Sequence, residues 1–165
     1  MRRGAQLFWA SLFLAGMFLG GCATEPKPGL AENLEGPLWR GRLALVVTSD
    51  QALSFSSAFE LRGSAQAGEL TLLTPLGQTA AALSWSAQAA VLRRDGTVEQ
   101  FESLDALIKH ALGTELPVAA VFSWLGGQAM QAAGWNADLS HYAQGRITAQ
   151  RQMPGPSAEL RLVLD

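Results

Sequence analysis

Three side chains in this sequence belong to the types that most readily act as nucleophile, base or metal ligand: Cys22, His110 and His141. A zinc site needs several N, O or S ligands converging on one point, and one thiol with two separated imidazoles does not supply them. No G-x-S-x-G elbow, Walker loop or dinucleotide fingerprint is present, so the motif-bearing nucleophile and phosphate sites are missing. His110 falls on a helical pattern beside Ala111 and reads as a surface or rim residue, with a general base as the alternative. His141 stands in a turn and reads the same way. Glu102 and Asp105 lie near the start of that helix, where carboxylates favour the positive end of the peptide dipole without any catalytic pairing. The chain is therefore read as a non-enzyme that holds no metal.

The cysteine has a different chemistry available to it. Arg2 and Arg3 precede an uncharged run from Leu7 to Gly20, which closes on Gly21 and Cys22. A charged start, an apolar stretch and small residues at a cut make a signal peptide, and the run is too short for a bilayer core that takes roughly 20 apolar residues. Leu19-Gly20-Gly21-Cys22 resembles a bacterial lipobox, in which the thiol is acylated and the preceding segment removed; Gly20 stands where Ala or Ser is usual. The alternative is a plain signal peptide with an incidental cysteine, which leaves a lone secreted thiol without purpose. Ala23, rather than an aspartate, after the cysteine implies sorting to the outer membrane.

Three segments follow: 1–21 as signal, 22–37 as lipidated cysteine and tether, and 38–165 as folded domain. The tether holds three prolines and shows no apolar period. Of 165 residues 48% are hydrophobic and 16% charged, with mean hydropathy +0.14, which excludes disorder as a description of the whole. Twelve basic against 14 acidic residues give a net charge of −2, and removal of the signal takes away two arginines and no acid. No basic run exists to neutralise a phosphate backbone, so nucleic acid is not an expected partner.

The elements that must position any site are read from period. Trp39, Leu43, Leu45 and Val47 share one face, and Leu53, Phe55, Phe59 and Leu61 share another. Both are strands with one face on a core and one in water. Further strands are expected from Glu69 to Thr74 and from Thr79 to Trp85, and Val91 to Phe101 carries Asp95-Gly96, the dipeptide of a tight hairpin. The period then changes. Leu104, Leu107, Ile108, Ala111 and Leu112 fall on one helical stripe between a Ser103 N-cap and Gly113. A second helix is expected with Pro117 at its first position and Val118, Val121, Phe122 and Leu125 on its stripe, ending at Gly126-Gly127. Alternation resumes at Trp135, continues from Arg146 to Met153 and ends in Leu160, Leu162 and Leu164. This gives five strands, two short helices, then two or three strands, with no βαβ alternation.

Apolar surface is what remains unusual. LTLLTPLGQTAAAL from Leu70, DALIKHALGTELPVAAVFSWLGG from Asp105 and AAGW from Ala132, with WRGRLAL from Trp39, appear in an order that resembles the outer-membrane lipoprotein receptor LolB family. Residues 141–156 match that pattern more loosely, which leaves the strand count there open. The resemblance implies a mainly β fold with a helical lid (α+β): an unclosed antiparallel β-barrel enclosing a hydrophobic cavity. It implies an outer-membrane lipoprotein, lipid-anchored and facing the periplasm, that accepts acylated lipoproteins from the periplasmic carrier LolA and inserts them into phospholipid. Neither nucleotide nor any cofactor beyond the acyl chains on Cys22 is expected, and the chain is expected to act as a monomer. The expected concave face comprises Leu43, Leu45, Phe55, Phe59, Leu61, Leu70, Leu72, Leu83 and Trp85, with Leu107, Ile108, Leu112, Val121, Phe122 and Leu125 on the lid. Trp124 and Trp135 belong either at the mouth or in the core. Pro75, Leu76 and Gly77 should leave the sheet as a tight loop, and the resemblance gives it a protruding leucine that touches the membrane. A cationic rim of Arg40, Arg42 or Arg93 facing the carrier is a further expectation. The competing reading is an envelope assembly or scaffold lipoprotein that binds another protein and needs no cavity.

Overall fold

Where apolar and polar residues alternate, the chain forms strands, and their pairing fixes which face is inside. The structure is a computed structural model and describes residues 34–50 and 52–165; the signal segment, Cys22 and most of the tether lie outside the described residues. The strands are β1 (Leu38–Thr48), β2 (Leu53–Gly63), β3 (Gly68–Leu73), β4 (Thr79–Trp85), β5 (Ala90–Arg94), β6 (Thr97–Phe101), β7 (Trp135–Asp138), β8 (Arg146–Arg151) and β9 (Ser157–Leu164). They form one nine-stranded sheet in the order β6-β5-β4-β3-β2-β1-β9-β8-β7. Every pairing is antiparallel, and the edge strands β6 and β7 do not join, so the barrel is unclosed.

The expected five strands before the helices are six. The Asp95-Gly96 hairpin divides its stretch into β5 and β6, with Asp95 at φ 53 and Gly96 at φ 76, the positive values that a tight two-residue turn demands. After the helices there are three. The non-local join is β1 with β9, from Gly41 opposite Leu164 to Thr48 opposite Ser157. A Cβ at Gly41, whose φ is 155, would stand 2.0 Å from the Val163 carbonyl oxygen.

The pairings also sort the loops. At one end of the strands lie the start of β1, the turns 64–67 and 86–89 and the end of β9. At the opposite end lie the end of β1, the loop 74–78, the Asp95-Gly96 turn and the loop 152–156.

Two helices cross the concave side. In α1 (Leu104–Leu112) the Ser103 hydroxyl accepts the Ala106 N–H at 3.1 Å, and Gly113 closes the helix at φ 64 with its N–H on the Lys109 carbonyl, as the sequence implies. In α2 (Val118–Leu125) Pro117 is the extended cap residue rather than the first helical residue. The buried residues of α2 are Ala120, Trp124 and Leu125, so the expected stripe of Val118, Val121, Phe122 and Leu125 is rotated. The sequence VAAVFSWL is apolar on nearly every side, and its period therefore cannot select a face. Packing selects it. Ala120 and Trp124 are both fully buried in the core cluster.

Beneath the lid, the core joins Leu43, Leu45, Val47, Phe59, Leu61 and Trp85 of one half of the sheet to Ile147, Ala149, Leu160 and Leu162 of the other. Trp85 lies flat against β3: a Cβ at Gly68 would stand 2.3 Å from its Cζ2 atom. The same indole donates to the Ser64 carbonyl at 3.0 Å and lies 6.4 Å from the Phe122 ring. Gly68→Ala is therefore expected to destabilise the domain by about 1–3 kcal/mol, because a ring held on both sides cannot yield to one methyl. Urea unfolding with an unchanged m-value would check this.

Candidate functional site

The site is an apolar interior with a lid, and its construction begins with what pins the lid down. Along β8, alternation turns Ile147, Ala149 and Arg151 inward, and Arg151 is only 3% exposed. Its guanidinium donates to the Thr114 hydroxyl, to the Glu115 carbonyl at 3.2 Å and to the Pro156 carbonyl at 2.9 Å. It also lies 5.7 Å from the centre of the Trp135 ring, within cation–π range. The Trp135 indole adds a bond to the same Glu115 carbonyl at 3.2 Å. One buried cation thus ties the α1–α2 connection to β8 and to the loop before β9. Arg151 is not among the residues that the sequence singles out, although its inward phase on β8 is visible in the alternation.

From that anchor α2 runs across the sheet. Phe122 meets Trp39 of β1 edge-on at 5.5 Å, and the Tyr142 hydroxyl donates to the Leu125 carbonyl at 3.0 Å. Trp124 and Trp135 are fully buried, with ring centroids 6.4 Å apart, so neither stands at a mouth. The reason is polar as well as steric: the Trp124 indole N–H finds the Met130 carbonyl at 2.8 Å, so its single donor is satisfied inside.

The expected cavity residues separate into two sets. Leu43, Leu45, Phe59, Leu61, Trp85, Leu107, Ile108 and Leu125 are buried. Phe55, Leu70, Leu72, Leu83, Leu112, Val121 and Phe122 are half-buried and pack against the core from its margin. The second set comes from β2, β3 and β4 on the sheet and from α1 and α2 on the lid, and it is apolar throughout. Two concavities, of about 590 and 700 Å³, lie on the outer face of the sheet; the first is lined mainly by polar residues such as Arg40, Glu60 and Arg62, and the second by Asp138, Thr148 and Gln150 together with Ala137 and Met153.

The loop 74–78 leaves the sheet as its sequence requires. The Thr74 N–H donates to the Gln78 carbonyl at 2.8 Å, the Gly77 N–H donates to the Thr74 carbonyl at 2.9 Å, and Gly77 has φ 78. Three residues, Pro75, Leu76 and Gly77, thus form the tip. Leu76 is 87% exposed, the highest value among the exposed large apolar side chains described.

The polar candidates are placed on the surface. His110 is exposed, 3.5 Å from the Glu99 carboxylate and against the Phe101 ring at 5.2 Å. His141 is exposed in the turn before the short 3-10 segment Tyr142–Gln144. The Asp138 carboxyl is held below its ordinary range by the Ser140 backbone N–H, at 2.9 Å, and by the Ser140 hydroxyl, which marks a turn cap. Glu102 and Asp105 flank the start of α1 and are exposed. No cluster of three or more His, Cys, Asp or Glu side chains suited to a metal occurs among the described residues. Of the expected cationic rim, Arg40 is engaged with Glu60 at 2.7 Å on the outer face of the sheet and Arg42 is exposed on that same face.

Comparison with known proteins agrees with this architecture. A family model described as "Outer membrane lipoprotein LolB" matches residues 38–162. A protein of Bordetella pertussis named outer-membrane lipoprotein LolB is 34% identical, over 93% of this chain and 90% of its own length. One of Bordetella petrii with the same name is 31% identical over 88% and 86%. A third, of Shewanella oneidensis, is 29% identical over 78% of this chain and 63% of its own. With an unclosed antiparallel barrel, a two-helix lid and an apolar margin between them, the chain belongs to the LolB family of outer-membrane lipoproteins.

Proposed function

We propose that this protein receives acylated lipoproteins from the periplasmic carrier LolA and inserts them into the outer membrane, to which acyl chains on Cys22 hold it. The supporting observation is the set of half-buried apolar side chains at the margin of the core, Phe55, Leu70, Leu72 and Leu83 from the sheet and Leu112, Val121 and Phe122 from the lid helices. Such side chains are covered enough to be ordered and open enough to exchange their remaining water for a hydrocarbon chain. The thermodynamic need is large. At roughly 0.8 kcal/mol per buried CH₂, three chains of about sixteen carbons carry on the order of 35 kcal/mol of exposure to water.

The receptor offers an apolar space that holds these chains less tightly than a bilayer does. Transfer then runs downhill from carrier to receptor to membrane, with no nucleotide, metal or catalytic step, and one protein molecule suffices. Arg151 holds the α1–α2 connection of the lid against β8 through Thr114 and Glu115. Leu76 supplies the contact with phospholipid at which the cargo leaves.

Phe55→Asp and Leu83→Asp test the acyl site. Both positions are half-buried rather than central, so the chain is expected to fold, while an unpaired carboxylate facing hydrocarbon should weaken binding of a fluorescent fatty-acid probe by at least tenfold or so. The full-length Cys22→Ala background removes the protein's own acyl chains. Circular dichroism and probe titration, with displacement by a lipopeptide, are read together. Absence of saturable probe binding to the folded parent would instead favour a scaffold that binds protein.

A further inference from the structure

Leu76 is not alone in its exposure. Met153, in the loop between β8 and β9, is 77% exposed, second only to Leu76 at 87% among the large apolar side chains described. The remaining ones are the strand residues Val46, Val98 and Val163, at 42–56%, and Met130 at 43%. The strand pairings place the Leu76 and Met153 loops at the same end of the sheet. The turns 64–67 and 86–89 at the other end both read Ser-Ala-Gln-Ala and carry no large apolar side chain.

Both loops are built to hold such a residue out. Neither 74–78 (TPLGQ) nor 152–156 (QMPGP) contains a charge. The first is closed by its own backbone bonds. The second is fastened by Arg151 through the Pro156 carbonyl, and against Gly134, where a Cβ would come 1.9 Å from the Met153 carbonyl oxygen. Met153 borders the concavity on the outer face of β7 and β8, yet at 77% exposed it, like Leu76, buries little area within its own fold.

We propose that Met153 is a second membrane-insertion point, and that the loops 74–78 and 152–156 form one lipid-facing rim. This rests on the membrane role proposed for Leu76. The occupant is a phospholipid surface, because β1 and β2 lie between the strands that flank the two loops and the register sets Leu73 level with Arg42 but Ser157 level with Thr48, so the tips stand on the order of 25 Å apart along the sheet. Isolated apolar tips at that spacing suit a fluid interface, whereas a protein groove would ask for continuous apolar surface between them. The reach of the anchor agrees. The described chain enters at the opposite end of the strands, and the 12 residues from Cys22 to Leu34 span at most about 40 Å, against about 35 Å for the length of β1. Cys22 and the rim can therefore occupy the same membrane face.

The test uses the full-length acylated protein in vesicles of phosphatidylethanolamine and phosphatidylglycerol. Single cysteines are introduced as Leu76→Cys, Met153→Cys and, at the opposite end, Gln66→Cys, and each carries a nitroxide. Accessibility to dissolved oxygen and to a water-soluble nickel chelate is then compared. Labels at positions 76 and 153 are expected to favour oxygen and the label at 66 the chelate, and Met153→Glu is expected to lower lipoprotein incorporation about fivefold to tenfold with acceptance unchanged. A water-exposed label at 153 beside a lipid-exposed label at 76 would overturn the two-point rim and leave the Leu76 role standing. Water exposure at both would remove both. Shielding at 153 that appears only when LolA is added would make this loop a protein contact and likewise refute the proposal.

Discussion

Leu76→Glu is expected to leave acceptance of a lipoprotein from LolA within about twofold of the parent and to lower its incorporation into liposomes by about tenfold or more. The fold should not notice the change. Leu76 is 87% exposed, the loop is closed through Thr74, Gly77 and Gln78 backbone groups, and a Cβ even at the neighbouring Gly77 would meet nothing within 4 Å. What changes is the free energy of the tip in lipid. One inserted leucine contributes only about 1.5–3 kcal/mol, too little to anchor a protein that already carries acyl chains but enough to favour release into the bilayer. A glutamate reverses the sign of that contribution. Leu76→Ile and Leu76→Phe should retain delivery. An assay that scores acceptance and incorporation separately decides the matter: equal loss of both steps, or of neither, would remove Leu76 from the membrane step.

The second large effect belongs to Arg151. Arg151→Met is expected to lower the free energy of unfolding by about 3 kcal/mol, because hydrogen bonds from a charged donor contribute about 1.5–3 kcal/mol each and several are lost together. Part of this loss is returned, since a guanidinium 3% exposed and without a carboxylate partner among the described residues bears a desolvation cost that methionine does not. The geometry sets the balance. The Glu115 carbonyl keeps its bond from the Trp135 indole, but the Pro156 carbonyl and the Thr114 hydroxyl lose the guanidinium's bonds. Arg151→Lys should recover little, because one ammonium cannot reproduce a planar fork that reaches two loops at once. Chemical denaturation monitored by tryptophan fluorescence would report the change, with Trp135 beside the site as a local probe. A loss under about 0.5 kcal/mol would show that burying the guanidinium costs nearly as much as its bonds return.

How much of this protein is written locally can be judged from particular residues. Strand phase is local: Leu43, Leu45 and Val47 face inward in β1 as their alternation requires, since neighbouring side chains on a strand point to opposite faces. Turn and cap chemistry is local as well. Asp95-Gly96 makes its hairpin, Ser103 and Gly113 bound α1, and Pro75 with Gly77 takes the chain out of the sheet, because each depends on dihedrals or donors within a few residues. The family was legible for a related reason, as its pattern runs in linear order from Trp39 to Trp135.

Other features needed the assembled sheet. An apolar helix such as VAAVFSWL has no polar side to orient it, so only packing could bury Ala120 and Trp124 and leave Val121 and Phe122 at the margin. The pairing of β1 with β9 joins residues more than a hundred positions apart, and no local signal encodes that register. With it come the division of the predicted cavity residues into core and margin, and the placing of Leu76 and Met153 at one end of the strands. Arg151 shows the reason most directly. Its inward direction follows from alternation on β8, but its partners, Thr114 and Glu115, lie 37 and 36 residues away, and only the assembled tertiary structure brings their oxygens to a cation that water would otherwise solvate.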